Sequence, residues 1–329
     1  MILDQKIEAG DIIVLDGATG TEVARAGVPM SGAAWCGVAN KTHPDVVRGV
    51  HESYIHAGAD VITTNTFATS RHVLDGAGLA GESVAINRRA VELALEAREN
   101  AAVDRPVAVA GSMSAMRAWV PGSVTPNPRH VPPREAETAN YYEMADTLAE
   151  AGVDLILMEM MLDLERATPA IKAAVATGLP VWIGISCTQR PDGRMVGWDI
   201  MAESPTRLLE GHEARPEVPL ETMIDEFMKL GGSVAGIMHS TLSSTSPGLE
   251  ILFDRWSGPV MCYPETTDVL PTGPDTDLAV SPDEFADHCR TWVERGVQII
   301  GGCCGTTVEH IRQMVEQLPN DGRRRRTSQ

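Results

Sequence analysis

One pattern constrains this 329-residue chain more than any other. A short β-branched run, a polar loop and a helical stretch follow one another eight times from end to end. The strand candidates are residues 12–15, 61–64, 107–110, 155–159, 181–186, 234–238, 260–263 and 299–302. Each is apolar on successive residues, as expected of parallel strands buried on both faces. Helical spacing is clearest at 44–57, where Val46, Val47, Val50, Tyr54 and Ile55 share a face. Comparable stretches cover 83–100, 136–151, 164–177, 220–230, 282–295 and 308–318. The helix between the sixth and seventh strands is weakly written, around 248–256. Gly58, Gly152, Gly178, Gly231 and Gly296 each stand between a helix and the next strand, where a left-handed residue ends a helix. Eight βα units in one chain match a (β/α)8 TIM barrel, whose usual size is about 250 residues plus insertions. A doubly wound open sheet is the alternative, because alternation alone does not close a barrel.

The long loops follow strands. Residues 112–135 are rich in Pro and Gly, 188–219 are polar, and 264–281 are acidic and Pro-rich. In a barrel such loops build the C-terminal face, where active sites sit. No linker or shift of composition marks a second domain. The expectation is one barrel over residues 1–318 and a basic, disordered tail over 319–329, carrying Arg323 to Arg326. Lys and Arg number 27 against 45 Asp and Glu, a net charge of −18. That field disfavours nucleic acid and anionic membranes as partners. No apolar stretch reaches the ~20 residues needed to span a bilayer, and no secretory signal opens the chain. The six cysteines are therefore expected as thiols, metal ligands or core residues in the cytoplasm. Self-association is left open.

The strongest local signal is Gly301-Gly302-Cys303-Cys304-Gly305-Thr306-Thr307, at the end of the eighth strand. Adjacent cysteines are strained as a disulfide but can hold one metal if the backbone bends, and flanking glycines permit the bend. The alternative is two buried thiols acting as small hydrophobes. A third ligand should come from another strand end. The sixth strand finishes Gly236-Ile237-Met238-His239-Ser240, which puts His239 on the same rim. Cys262, at the end of the seventh strand, competes for that place and is taken here as core filler.

Trp35, Trp119 and Trp198 fall in loops after the first, third and fifth strands, and tryptophan faces attract onium cations. Hydrophobic capping of the barrel is the other use for them. Gly111-Ser112-Met113-Ser114 is expected as a tight turn rather than an anion loop, and Asp199 and Glu203 as solvated loop residues. No G-x-x-x-x-G-K-[ST] loop occurs, which disfavours a nucleotide enzyme of the P-loop kind.

Three motifs together resemble the zinc-dependent homocysteine S-methyltransferases. These are Asp16-Gly17-Ala18-Thr19-Gly20-Thr21-Glu22 after the first strand, Thr63-Thr64-Asn65-Thr66-Phe67 after the second, and the Gly301–Thr307 stretch after the eighth. That family includes betaine– and S-methylmethionine–homocysteine methyltransferases and the homocysteine domain of cobalamin-dependent methionine synthase. The resemblance runs from Ile12 to about Leu318 and implies the same barrel. It implies that Cys303 and Cys304 are two of three zinc cysteines. The third ends a Gly-x-Asn-Cys stretch, here Gly236-Ile237-Met238-His239, so histidine replaces a thiolate. Asp16, Gly17 and Glu159 match amino-acid-binding positions, with Thr64 holding the substrate carboxylate and Asn65 beside it in the same motif. Trp35, by its spacing to His43-Pro44, resembles the donor-contacting tryptophan of the betaine enzymes. The chain departs at Glu159-Met160, where the family has Glu-Thr, and at Tyr263-Pro264-Glu265-Thr266-Thr267, where it has Tyr-Pro-Asn-Ala-Gly.

The implied activity is methyl transfer from a small sulfonium or quaternary ammonium donor to a zinc-activated thiol, with homocysteine as acceptor and methionine as product. Zinc deprotonates a thiol and leaves it one coordination position. Three thiolates, a substrate thiolate and Zn²⁺ carry a formal charge of −2, and exchanging one thiolate for His239 gives −1. The alternatives are a zinc-dependent hydrolase or lyase using zinc-bound water at a Cys2His site, and a metal- or thiol-binding protein without turnover.

Overall fold

The computed structural model describes residues 3–120, 126–198, 217–266 and 280–319. The strands are β1 (Ile13–Val14), β2 (Val61–Thr63), β3 (Ala108–Ser114), β4 (Leu155–Met161), β5 (Val181–Ile185), β6 (Cys187–Gln189), β7 (Met195–Gly197), β8 (Val234–Met238), β9 (Val260–Tyr263) and β10 (Ile299–Ile300). Eight of them form one parallel sheet in the order β1-β10-β9-β8-β5-β4-β3-β2, while β6 and β7 form a small antiparallel hairpin. The two ends of the sheet meet. Leu15 bridges Val61 in parallel, Asp16 N–H donates to Val61 O (3.0 Å), and Asp60 N–H donates to Val14 O (2.7 Å). The sheet is thus a barrel, and the open doubly wound alternative falls.

Each strand divides its side chains between two cores. Ile13, Leu15, Val61, Ala108, Ala110, Leu155, Leu157, Trp182, Val234, Met261 and Ile299 fill the barrel interior. Their neighbours Val14, Ile62, Val109, Ile156, Ile183, Ala235, Val260 and Ile300 pack outward against the helices. This is why the strand sequences are apolar on successive residues. Continued toward the C-terminal ends, the interior series reaches Thr63, Ser112, Glu159 and Tyr263. Polar groups therefore sit on top of an apolar plug, as in barrels whose sites occupy that face.

Among the described residues, helices surround the strands, and Pro44–Ala57 and Pro282–Arg295 coincide with the expected spans. The five helix-ending glycines all adopt positive φ, from 76° at Gly178 to 118° at Gly231 and Gly296. The weakly written helix is longer than expected and covers Leu242–Arg255. Thr241 caps it by accepting from Ser244 N–H, but its first turns are Ser, Thr and an interior Pro247, which hide the periodicity. Residues 111–114 correct another expectation: they are neither turn nor anion loop but fully buried strand in β3. Gly and Ser have low strand propensity, and here tertiary burial overrides it.

At the opposite end, the helix Asp4–Ala9 closes the barrel bottom, with Leu3 inserted into the interior core. The fully buried Asp60 anchors it, accepting from Lys6 Nζ (2.8 Å) and Val14 N–H (3.1 Å). Gln298 Nε2 donates to the carbonyls of Ile7 (3.0 Å) and Asp11 (3.2 Å). Asp60→Ala would strand a strand N–H and a half-buried ammonium at once. We expect a loss of about 2–3 kcal/mol, read as a lower urea midpoint with an unchanged m-value. An unshifted midpoint would show that this base clasp contributes nothing.

Candidate metal centre

The two thiols are presented by a backbone that other elements hold from both sides. Gly301 N–H donates to Cys262 O (3.0 Å), Gly302 N–H to Asp16 O (3.1 Å) and Cys303 N–H to Pro264 O (2.9 Å). The chain then turns. Thr306 Oγ1 donates to Cys303 O (2.6 Å) and accepts from Ala18 N–H (3.1 Å). A Cβ on Gly302 would lie 2.5 Å from Thr306 Oγ1, and one on Gly17 would lie 2.8 Å from Tyr54 Oη and 3.0 Å from Thr306 Oγ1. At both positions glycine leaves space that a side chain would take from Thr306, and at Gly17 from Tyr54 as well. His239, the residue after β8, donates its N–H to Tyr263 O (3.2 Å).

His239, Cys303 and Cys304 come together, with candidate donor atoms all within 4.8 Å of one another. Cys303 Sγ is 3.6 Å from His239 Nδ1 and 4.0 Å from Cys304 Sγ. A tetrahedral zinc, bonded at about 2.3 Å to sulfur and about 2.0 Å to nitrogen, spaces its donors about 3.8 Å (S···S) and about 3.5 Å (S···N) apart. The two spacings made by Cys303 match those of such an ion, and the donor types suit it. Cys303 donates to Cys304, and this bond with the neighbouring His239 holds the Cys304 thiol well below its ordinary range. The same bond and burial hold Cys303 above its own. Cys262 is buried in the layer between barrel and helices and is not among these donors.

Beneath the donors lie two carboxylates. Asp16 accepts from Thr63 N–H (2.7 Å) and Thr63 Oγ1 (2.8 Å), and Glu159 accepts from Ser112 Oγ. Burial pushes the Asp16 carboxyl up to about 8, against the lowering by its Thr63 bonds, and the Glu159 charge adds to the rise. Burial likewise raises Glu159 to about 7, with Cys304 adding to the rise and His239 opposing it. The two acids therefore share one low-dielectric space with the sulfurs. The hydroxyls of Tyr54 and Tyr263 adjoin it, and both have Asp16 and Cys303 as neighbours.

Thr64 and Asn65 are buried and engaged in bracing the rim. Thr64 Oγ1 accepts from Ser112 N–H (3.1 Å) and lies 2.7 Å from Thr66 Oγ1. Asn65 accepts from Cys36 Sγ (2.9 Å) and donates to Asn40 Oδ1 (3.0 Å), tying the β1 loop to the β2 loop. Trp35 packs edge-on to Phe67 at 6.0 Å and shares a small apolar cluster with Trp119. Trp198 instead meets the His239 ring edge at 5.2 Å. Asp199 and Glu203 lie outside the described residues, as does the tail beyond Pro319. Sequence reasoning gave no site role to Thr306 or the two tyrosines and read Ser112 only as part of a turn or anion loop. The only signal for them was strand parity, which places Ser112 and Tyr263 inside the barrel.

Among the described residues, four non-glycine residues have positive φ, and three belong to this mouth: Trp35 (42°), Met160 (54°) and His239 (41°). Such backbone costs of order 1–3 kcal/mol per residue and persists where surrounding structure enforces it, often at functional sites. Met160 N–H donates to Met238 Sδ (3.1 Å), which couples the strained residue after Glu159 to the strand that carries His239.

Comparison with known proteins places this architecture. The chain is 28% identical over 328 residues to methionine synthase of Mycobacterium tuberculosis, covering 97% of this chain and 25% of that protein. It thus spans about a quarter of the length of the methionine synthases it matches. It is 24% identical to a homocysteine S-methyltransferase of Bacillus subtilis, covering 92% of this chain and 93% of that one. The crystal structure of the metallated form of the homocysteine methyltransferase MmuM from Escherichia coli superposes with a TM-score of 0.71 at 22% identity, covering 96% of this chain and 100% of that one. Those coordinates speak for the fold. The sequence profile described as homocysteine S-methyltransferase matches residues 13–318, from the first barrel strand to the last outer helix, and by that match the chain belongs to the homocysteine S-methyltransferase family.

Proposed function

We propose that the protein transfers a methyl group from a small sulfonium or quaternary ammonium donor to the thiol of homocysteine, giving methionine, with zinc held by His239, Cys303 and Cys304. The observation that carries this reading is the stacking of a His/Cys/Cys donor set above two buried carboxylates. When bound, zinc would supply the positive charge that keeps a substrate sulfur as thiolate at neutral pH. Asp16 and Glu159 would receive the amino acid's ammonium, which favours their ionised forms, while Thr63 and Ser112 fix their orientation. The thiolate attacks the donor methyl carbon, the new S–C bond forming as the bond to the onium atom breaks, so the donor leaves neutral. Trp35 or Trp198 would face the donor cation. All six cysteines are free, which suits a cytoplasmic setting. Family membership and an ammonium-matched floor favour methyl transfer over hydrolytic or lyase chemistry at the same donors.

Cys303→Ala and Cys304→Ala should each strip the metal from purified protein, measured by elemental analysis, while the unaltered protein carries about one equivalent. Stoichiometric zinc in both variants would overturn the assignment.

The acids predict a pH dependence. Their raised values leave them largely protonated at about pH 6, and raising the pH through about 7 to 8 ionises them and strengthens ammonium binding. The KM for homocysteine should therefore fall over that range, beyond the fall shown by 3-mercaptopropanoate, which lacks the amine. Asp16→Asn should raise the homocysteine KM at least about tenfold and flatten its pH profile. Parallel profiles for the two thiols would remove the carboxylates from substrate recognition.

A further inference from the structure

One hydroxyl inside the barrel is buried without a use in the fold. Tyr263 ends β9 with its side chain in the interior core, where the residue is 2% exposed. The ring reaches across to β5, since a Cβ on Gly184 would lie 2.5 Å from the Tyr263 hydroxyl oxygen. Gly184 follows Ile183, and Ile183 pairs with Met158, the residue before Glu159. The hydroxyl is thus set beside the strand that carries Glu159, and Glu159, Cys303 and Asp16 are its neighbours. Among the described residues it has no hydrogen-bond partner. The two acids take their hydrogen bonds from Thr63 and Ser112 instead. A buried hydroxyl left in this way costs stability, so its place calls for a compensating role. Tyr54 also has an unpartnered hydroxyl, but it belongs to the layer between barrel and helices, where it abuts Gly17.

We infer that the Tyr263 hydroxyl is a third contact for the substrate's ammonium, completing the floor made by Asp16 and Glu159. The inference rests on the homocysteine reading above. An ammonium carries three N–H donors and no acceptor. Two carboxylates meet two of those donors, and a site closed to water must supply an acceptor for the third. A phenol oxygen can accept that bond while its own O–H donates to a carboxylate. It does so without adding charge. A third acid here would stand beside two carboxylates that already resist ionisation, Asp16 raised to about 8 and Glu159 to about 7. Gly184 makes the arrangement possible, because any side chain there would push the hydroxyl from its place. A polar group that only the correct substrate satisfies also discriminates strongly against a ligand lacking its partner. Tyr263 is thereby a residue that selects α-amino thiols over simple thiol acids.

Tyr263→Phe on the full chain tests this, since it removes the hydroxyl and keeps the ring. The probes are homocysteine and 4-mercaptobutanoate, the same thiol acid without its amine, used as acceptor or as competitor. The substitution should raise the homocysteine KM about tenfold, with kcat changed less than about threefold. The constant for 4-mercaptobutanoate should rise less than about twofold. Methionine, which carries the amine but no thiol, should bind about tenfold more weakly by titration calorimetry. The urea midpoint of the substrate-free protein should hold or rise, because the hydroxyl contributes no bond there. An equal change for the two thiols, no change for either, or a lowered urea midpoint would make the hydroxyl structural or idle and overturn the inference. If Asp16→Asn still separates homocysteine from 4-mercaptobutanoate, the homocysteine reading survives that result. If Asp16→Asn fails to separate them as well, the amine floor falls with it.

Discussion

Two adjacent thiols can face one point only if the chain that carries them bends and is held bent. In this protein the hold is a set of main-chain bonds from three loops. Cys303 N–H reaches Pro264 O, Thr266 N–H reaches Cys304 O, and Thr306 joins the Cys303 carbonyl to Ala18. At positions 17 and 302 a Cβ would collide with Thr306, and at 17 also with Tyr54, so both are glycine. Pairing of β1 with β10 sets Asp16 and Gly17 beside the eighth barrel strand, and closure of β1 onto β2 brings the Asp16 carboxylate to Thr63. The metal centre and the substrate floor therefore meet at β1, and loosening any of these loops should disturb both.

The electrostatics point the same way. The mouth concentrates acid and thiol groups in a space where burial disfavours their charged forms, which costs stability in the empty protein. Such an arrangement is retained where cations arrive to satisfy it. A divalent metal meets the sulfurs, an ammonium meets Asp16 and Glu159, and the donor brings a third positive centre. The strained backbones of Trp35, Met160 and His239 ring the same space, so the local cost in conformation is borne where the chemistry takes place.

The fold was legible because successive-residue apolarity and helix-ending glycines are local signals, and both survived into the structure. Leu242–Arg255 was half hidden because its start is written in serine, threonine and proline, and its capping by Thr241 matters more than its periodicity. The Gly111–Ser114 stretch was misjudged because Gly and Ser promise a turn, whereas burial on both faces makes them strand. At the site, Cys303, Cys304 and His239 could be found from strand-end position, and the structure brings their donor atoms together. Trp198 could not be weighed that way. Its importance lies in contact with the His239 ring, made by a loop whose course no periodicity dictates.

Methyl transfer at this centre requires a substrate sulfur to enter a site made of two thiolates and one imidazole. X-ray absorption at the zinc edge, with and without homocysteine, measures this directly. Before the thiol is added, the fit should require two sulfur scatterers at about 2.3 Å and at least one nitrogen at about 2.0 Å. Saturating homocysteine should raise the sulfur count from two to three at the same distance. A sulfur count that does not change on adding the thiol, or a zinc shell containing no nitrogen, would contradict it.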